Sequence, residues 1–376
     1  MPGDLPPELA YAPELVSQLS RADWALGRVS SLTGLLANPQ LLLAPMLRLE
    51  AVLSSRIEGT QTTPEELFRA EAVEAGPPEG DALEVLNYLR ATELGMAALR
   101  QPFARLDLDL VRRLHGALFT GVGGRDRAPG RFREITVWVG RRGRPIEEAT
   151  YVPPPWEAVV PLMESWQAYA ADCLTTGRPR TPALVQCALL HAQFEMIHPF
   201  LDGNGRVGRL LMGLFLMARG LLEHPVLPLS AYLEQHREEY YACLLSISRD
   251  GGWEGWVRFF LRGVEQQALA TEQAARAIVE LRSACTQRLL ESGASPSVFA
   301  LLDRLFENPY TSARRAARQL GVHFQTAQRA IRLLQDLGFL EEVTGRRRGQ
   351  QFRARDVLRA IEASAEPPSD NVYYVN

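Results

Sequence analysis

The segment 198–211, HPFLDGNGRVGRLL, constrains the fold more than any other part of the chain. Upstream, Thr181 and Pro182 suit the N-cap and first position of a helix running through ALVQCALLHAQFEMI to His198. Downstream, a second helix opens in the Gly-Asn-Gly turn and continues through RVGRLLMGLFLMARGLL, apolar nearly all round past Arg209. A helix without a polar stripe must be enclosed on every side. The turn therefore joins two helices at the centre of a helical core.

That turn also carries chemistry. His198 and Asp202 stand four apart, followed by Gly203, Asn204 and Gly205 and then by Arg206 and Arg209. An imidazole accepts a proton near neutral pH. A carboxylate binds Mg²⁺, a cation that keeps several waters and shares phosphate oxygens. Glycines permit the dihedrals that aim backbone N–H groups at an anion where a helix starts. Arginines three apart share a helix face and grip phosphate. Together they read as a polyphosphate site with a base at its edge. Nucleotidyl transfer from ATP to a hydroxyl has those demands: charge neutralised, pyrophosphate stabilised, and a proton removed in line with attack.

Around this centre the pattern is mainly helical. LLLAPMLRLEAVLSSRIEG places Leu42, Met46, Leu49, Leu53 and Ile57 on a single face, with Gly59 as the stop. A further helix, ALEVLNYLRATELGMAAL, follows the turn GPPEG. Residues 121–155 alternate in ITVWVG between glycine, proline and arginine, the mark of a short hairpin or extended flap. From residue 297, VFALLDRLFENP, SARRAARQLG and FQTAQRAIRLLQDLGFL predict three helices, and EEVTGRRRGQQFRA a two-stranded wing, an order that resembles a winged helix-turn-helix. Residues 297–363 hold 12 arginines against 7 acidic residues, a net +5 that leaves −8 for the rest of a chain whose net charge is −3. Gln325, Thr326, Gln328 and Arg329 would then face DNA bases and Arg346, Arg347 and Arg348 its backbone. The tail EPPSDNVYYVN, with Tyr373 and Tyr374 as candidate self-modification sites, reads as loose.

Composition narrows the class. All 41 basic residues are arginine, which removes lysine-dependent chemistry. The four cysteines are far apart with no CxxC pair, so neither zinc nor a disulfide framework is indicated. No apolar run has membrane-spanning length and the N-terminus lacks a secretion-signal pattern, so the expectation is a cytoplasmic protein with no membrane partner.

HPFLDGNGRVGR matches the Fic family signature HxFx(D/E)GNGRxxR at every fixed position, and the chain resembles that family from about residue 40 to 265. The resemblance implies a mainly α protein: a helical Fic core with a β-hairpin flap, plus the C-terminal winged helix-turn-helix. It implies transfer of AMP from ATP, with Mg²⁺, to a Ser, Thr or Tyr hydroxyl on a target protein. By the same resemblance His198 is the general base, Asp202 the Mg²⁺ ligand, and Gly203, Asn204 and Gly205 the phosphate nest. Arg206 and Arg209 hold phosphates, Phe200 anchors the loop, and Tyr241 contacts adenine. SSRIEG at 54–59 resembles the family's inhibitory pattern (S/T)xxxE(G/N) through Ser54, Glu58 and Gly59. There Glu58 would pair with Arg209 and occupy the place of the γ-phosphate.

The expected division is an N-terminal helical region over 1–105, a Fic core over 106–265, a linker helix over 266–296, the winged helix over 297–365 and a tail over 366–376. Two alternatives stand beside the self-inhibited AMP-transferase. One is a DNA-binding regulator whose Fic core senses nucleotide; the other is an enzyme that also removes AMP. DNA and a second copy of the chain are further candidate partners.

Overall fold

The computed structural model describes residues 1–34, 38–72, 79–101, 105–122, 127–140, 145–175 and 181–365. Tyr373 and Tyr374 lie outside the described residues. Fifteen α-helices and one small sheet make up the described chain, the mainly α fold expected. None of these helices is long and apolar enough to cross a membrane.

In chain order the first elements are α1 (Pro13–Gly34), α2 (Gln40–Ile57), α3 (Pro64–Ala72), α4 (Asp81–Leu99), α5 (Leu108–Leu118) and α6 (Val159–Thr175). The central pair follows as α7 (Ala183–Ile197) and α8 (Asn204–Ala218). Then come α9 (Ser230–Gln235), α10 (Arg237–Asp250) and α11 (Trp253–Glu291). As the sequence predicts, α8 is enclosed, with Val207, Leu210, Leu211, Leu214, Phe215 and Leu216 all buried. Helix α7 starts one residue later than expected, because Pro182 has an extended ψ of 148° and stands outside the helix. Helix α2 is not buried on one face only. It packs against α4, α8, α9 and α11, and nearly its whole surface is covered.

Two long helices brace the molecule. The apolar stripe Leu15, Ala22, Ala25, Leu26 and Val29 of α1 lies on α11, and Arg28 pairs with Glu272 at 2.6 Å. At 39 residues, α11 is one unbroken helix of about 58 Å that runs through position 265.

The expected flap hairpin is reduced to one antiparallel bridge, Val139 with Tyr151. The cause is on the return side. Pro153, Pro154 and Pro155 have no N–H to donate, so a ladder cannot grow beyond Val152.

The C-terminal unit contains the three predicted helices and the wing. These are α12 (Pro296–Glu307), α13 (Ala313–Leu320), α14 (Phe324–Asp336) and the strands β2 (Glu341–Glu342) and β3 (Phe352–Arg353). A short strand β1 (Tyr310–Thr311) adds to β3, giving the order β1-β3-β2, and α15 (Arg355–Glu362) follows. Neither β1 nor α15 was expected; two residues are too few for a periodicity signal. Ser312 caps α13 by accepting from the Arg315 N–H.

Helix α4 crosses α8 closely at Gly95, where a Cβ would overlap the Leu214 side chain. Gly95→Val should therefore cost about 1–3 kcal/mol through overpacking. Urea denaturation measures this, and an unchanged midpoint would show that the α4–α8 contact is looser than described.

Candidate active site

His198 ends α7 in the left-handed region, with φ 53° and ψ 59°. Such a conformation is costly for a residue other than glycine, so surrounding contacts must hold it. Arg133, buried in the flap, does so. Its Nε donates to the His198 carbonyl at 2.8 Å and its Nη2 to the Pro154 carbonyl at 2.6 Å. Its backbone N–H donates to Pro199 O at 2.9 Å.

From below, Phe200 is buried and stacks on His115 with centroids 3.8 Å apart. The Asn204 side chain clamps the same residue: Oδ1 accepts from Phe200 N at 2.8 Å and Nδ2 donates to Phe200 O at 2.9 Å. Asn204 therefore acts as a loop clamp, with only its backbone N–H left for an anion. His115 accepts from Gly130 N through Nδ1 (2.8 Å) and so donates through Nε2 to Asp202 O (3.0 Å). Burial lowers its pKa to about 4, which keeps that neutral tautomer.

The turn opens α8 with Gly203 at φ 79° and Val207 N donating to Gly203 O. The N–H groups of Asn204, Gly205 and Arg206 precede that first helical bond and lack an intrahelical acceptor. Gly205 has no space for a side chain, since a Cβ there would overlap the Glu58 carboxylate.

Above Gly205 lies the strongest polar contact of the site. Arg209, almost wholly buried, donates from Nη2 to Glu58 Oε1 at 2.5 Å and to Ser54 O at 2.9 Å. Its Nε donates to Ser54 Oγ at 2.9 Å. Burial pushes the Glu58 carboxyl up, but the charge and hydrogen bond of Arg209, helped by Arg206 and His198, leave it below its ordinary value.

Glu58, His198, Gly205, Arg209 and Tyr241 line one cleft of about 390 Å³ beneath Val139 and Tyr151 of the flap. Tyr241 and Tyr240 both form part of its wall; Tyr240 is the buried one, bonded to His191 Nε2 at 2.8 Å. Arg206 is turned away from the cleft: it bonds Glu84 Oε2 at 2.7 Å and its guanidinium lies over the Phe119 ring. Asp202 also sits beside the cleft, 3.2 Å from Arg127 Nε and 3.7 Å from Arg206 Nη2. Among the described residues no three His, Cys, Asp or Glu side chains converge as a metal cage. A lone, partly open carboxylate suits a hard cation that shares phosphate oxygens.

The sequence reading missed Arg133, His115 and Arg127, and also Glu195, whose Oε1 is buried without a hydrogen-bond partner at the cleft wall. Burial raises its pKa to about 8, against the pull of Arg209. Its position one turn before His198 was the available signal.

The comparisons with known proteins give the family and the fold. The Fic/DOC family N-terminal model matches residues 16–97 and the Fic/DOC family model residues 105–216. By fold, turn and family match, the chain belongs to the Fic/DOC family. It is 32% identical over 131 residues to the Protein adenylyltransferase Fic of Drosophila erecta, covering 35% of this chain and 22% of that protein. The Aedes aegypti protein of the same name is 40% identical over 72 residues, 19% of this chain and 13% of that one. The chain thus spans about a fifth or less of the curated relatives it matches. A Fic family protein from Desulfovibrio desulfuricans superposes with a TM-score of 0.56 at 23% identity, covering 93% of this chain and 98% of that one. A Fic domain signalling protein from Bacteroides thetaiotaomicron gives 0.54 at 17%, covering 68% and 97%. These two likenesses establish the fold.

His198 Nδ1 faces the Glu195 carbonyl at 3.4 Å, which leaves Nε2 as the acceptor of the neutral ring. Burial lowers the His198 pKa from 6.5 to about 4, while the Glu58 charge raises it in part. An NMR titration should place His198 near pH 4, and lower still in Glu58→Gly. A midpoint at the ordinary histidine value would contradict this environment.

Proposed function

We propose that the protein is a self-inhibited adenylyltransferase that moves AMP from ATP to a hydroxyl of a target protein. The observation that carries the reading is the Glu58–Arg209 contact in the same cleft as His198. In the productive pose, ATP lays its phosphates along the α8 N–H groups and its γ-phosphate on Arg209. Asp202 would hold the Mg²⁺ that accompanies ATP, which would supply neutralisation of the phosphate charge. The adenine end lies toward Tyr241.

The acceptor hydroxyl loses its proton to His198 Nε2 as its oxygen bonds to the α-phosphorus. The bond from that phosphorus to the oxygen bridging to the β-phosphate breaks, and pyrophosphate leaves with the electron pair. A base that is neutral down to about pH 4 is ready for this work throughout the physiological range.

The flap supports a protein acceptor. Its Ile135 and Trp138 are exposed, and its short bridge leaves extended backbone beside the cleft. A peptide can add to such backbone by main-chain hydrogen bonds, which positions a hydroxyl without a fixed consensus.

Self-inhibition follows from electrostatics and space. While Glu58 bonds Arg209, the γ-phosphate meets a carboxylate in place of a cation, and the α-phosphorus is held out of line. Displacement of about 1 Å costs on the order of 10²-fold in rate. Incorporation of label from α-³²P-ATP into protein should therefore rise on the order of 10²-fold in Glu58→Gly. Adding His198→Ala should remove about 10²–10⁴-fold. Equal incorporation by the wild type and Glu58→Gly would reject the brake; incorporation that survives loss of His198 would reject the base.

A further inference from the structure

The C-terminal unit grips the segment that follows Glu58. Helix α3 begins seven residues after the α2 terminus, under a capping box in which Thr63 N donates to Glu66 Oε2 and Glu66 N to Thr63 Oγ1. Asn308 Nδ2 donates to Phe68 O and Glu71 Oε2, both at 3.1 Å. Tyr310 OH donates to Glu65, which also pairs with Arg353 at 2.7 Å. Arg315 donates to the Glu71 carbonyl in the last turn of α3. Arg48 of α2 closes the link by pairing with Glu71 at 2.8 Å, and α12 packs directly on α2. The strut α3 is thus tied on one side to the helix bearing Ser54 and Glu58 and on the other to α12, α13, β1 and β3.

Ala72, the last described residue of this strut, lines a second groove of about 690 Å³ between α14 and the β2–β3 hairpin. Arg314, Arg332, Arg346, Arg347 and Arg348 line it. All five are exposed, and among the described residues none pairs with a carboxylate. Next to the groove, Gln325 and Arg329 stand exposed on α14. Unpaired arginines spread along a hairpin and a helix fit a chain of phosphates better than a single one. A helix flanked by a basic hairpin matches a duplex, with the helix in the major groove and the hairpin on the backbone.

The two features oppose each other. Beside Ala72, Glu71 presents a carbonyl and a carboxylate, both carrying negative charge. Phosphates entering the groove meet these groups unfavourably.

We propose that the arginine groove between α14 and the wing binds the phosphate backbone of duplex DNA, and that its occupancy loosens the α3 strut holding Glu58 on Arg209. The consequence for AMP transfer rests on the self-inhibition reading above; the binding and the loosening do not.

The test uses the full chain. Fluorescence anisotropy with a labelled short duplex should show binding at low salt that weakens as salt rises. In Arg346→Ala/Arg347→Ala/Arg348→Ala, affinity should fall at least about tenfold, and the log–log salt slope should flatten by about 0.9 for each phosphate contact removed. These side chains are exposed, so the fold should survive; Arg332→Ala is an independent second variant. No binding at low salt, or binding indifferent to both variants, overturns the site. Equal affinity for heparin or single-stranded RNA overturns the assignment to a duplex. Hydrogen–deuterium exchange, which needs no ATP, reads the coupling: DNA should speed exchange over residues 54–72 in the wild type and not in the triple variant. Unchanged exchange on saturation with DNA overturns the coupling. DNA should also raise AMP incorporation by the wild type but not by Glu58→Gly, whose brake is already absent.

Discussion

The site is organised by the charge on Arg209. It is buried almost completely, and an isolated buried guanidinium is costly, so it must always have an anionic partner. Glu58 and the Ser54 oxygens fill that need in the resting molecule. Breaking one side of such a pair is far worse than exchanging it. On the proposed reading, release of Glu58 is tied to arrival of another anion, the γ-phosphate, so that brake and substrate would compete for one cation.

Glu195 stands at the wall of the same cleft, where burial and the Glu58 charge raise its carboxyl pKa to about 8 against the pull of Arg209. Gly208 makes room for this carboxyl, since a Cβ there would overlap Glu195 Oε1.

Much of this was legible in the sequence because its signals are local. The Gly-Asn-Gly turn, the enclosed α8 and the Ser54–Glu58 spacing follow from periodicity and backbone demands within one or two turns. What stayed hidden involves partners far apart in the chain. Arg133 reaches the His198 carbonyl across 65 positions, and Arg206 reaches Glu84 across 122, with no spacing rule to announce either. The flap alternation was a true local signal defeated by the prolines on its other arm. Asn204 was read as part of a phosphate nest through its backbone N–H, and the hold of its side-chain amide on Phe200 was not foreseen. The grip of the C-terminal unit on α3 has the same origin: Glu65 and Arg353 are 288 positions apart.

The central claim is that Glu58 and the γ-phosphate exclude each other at Arg209. Crystal structures of the wild type and Glu58→Gly, each with a non-hydrolysable ATP analogue and Mg²⁺, test it most directly. The account predicts a wild-type complex in which Arg209 keeps Glu58 and the γ-phosphate lies elsewhere, and a variant in which Arg209 bonds the γ-phosphate with the α-phosphorus facing His198. A wild-type complex with Glu58 still in place and the γ-phosphate also bonded to Arg209 would contradict it.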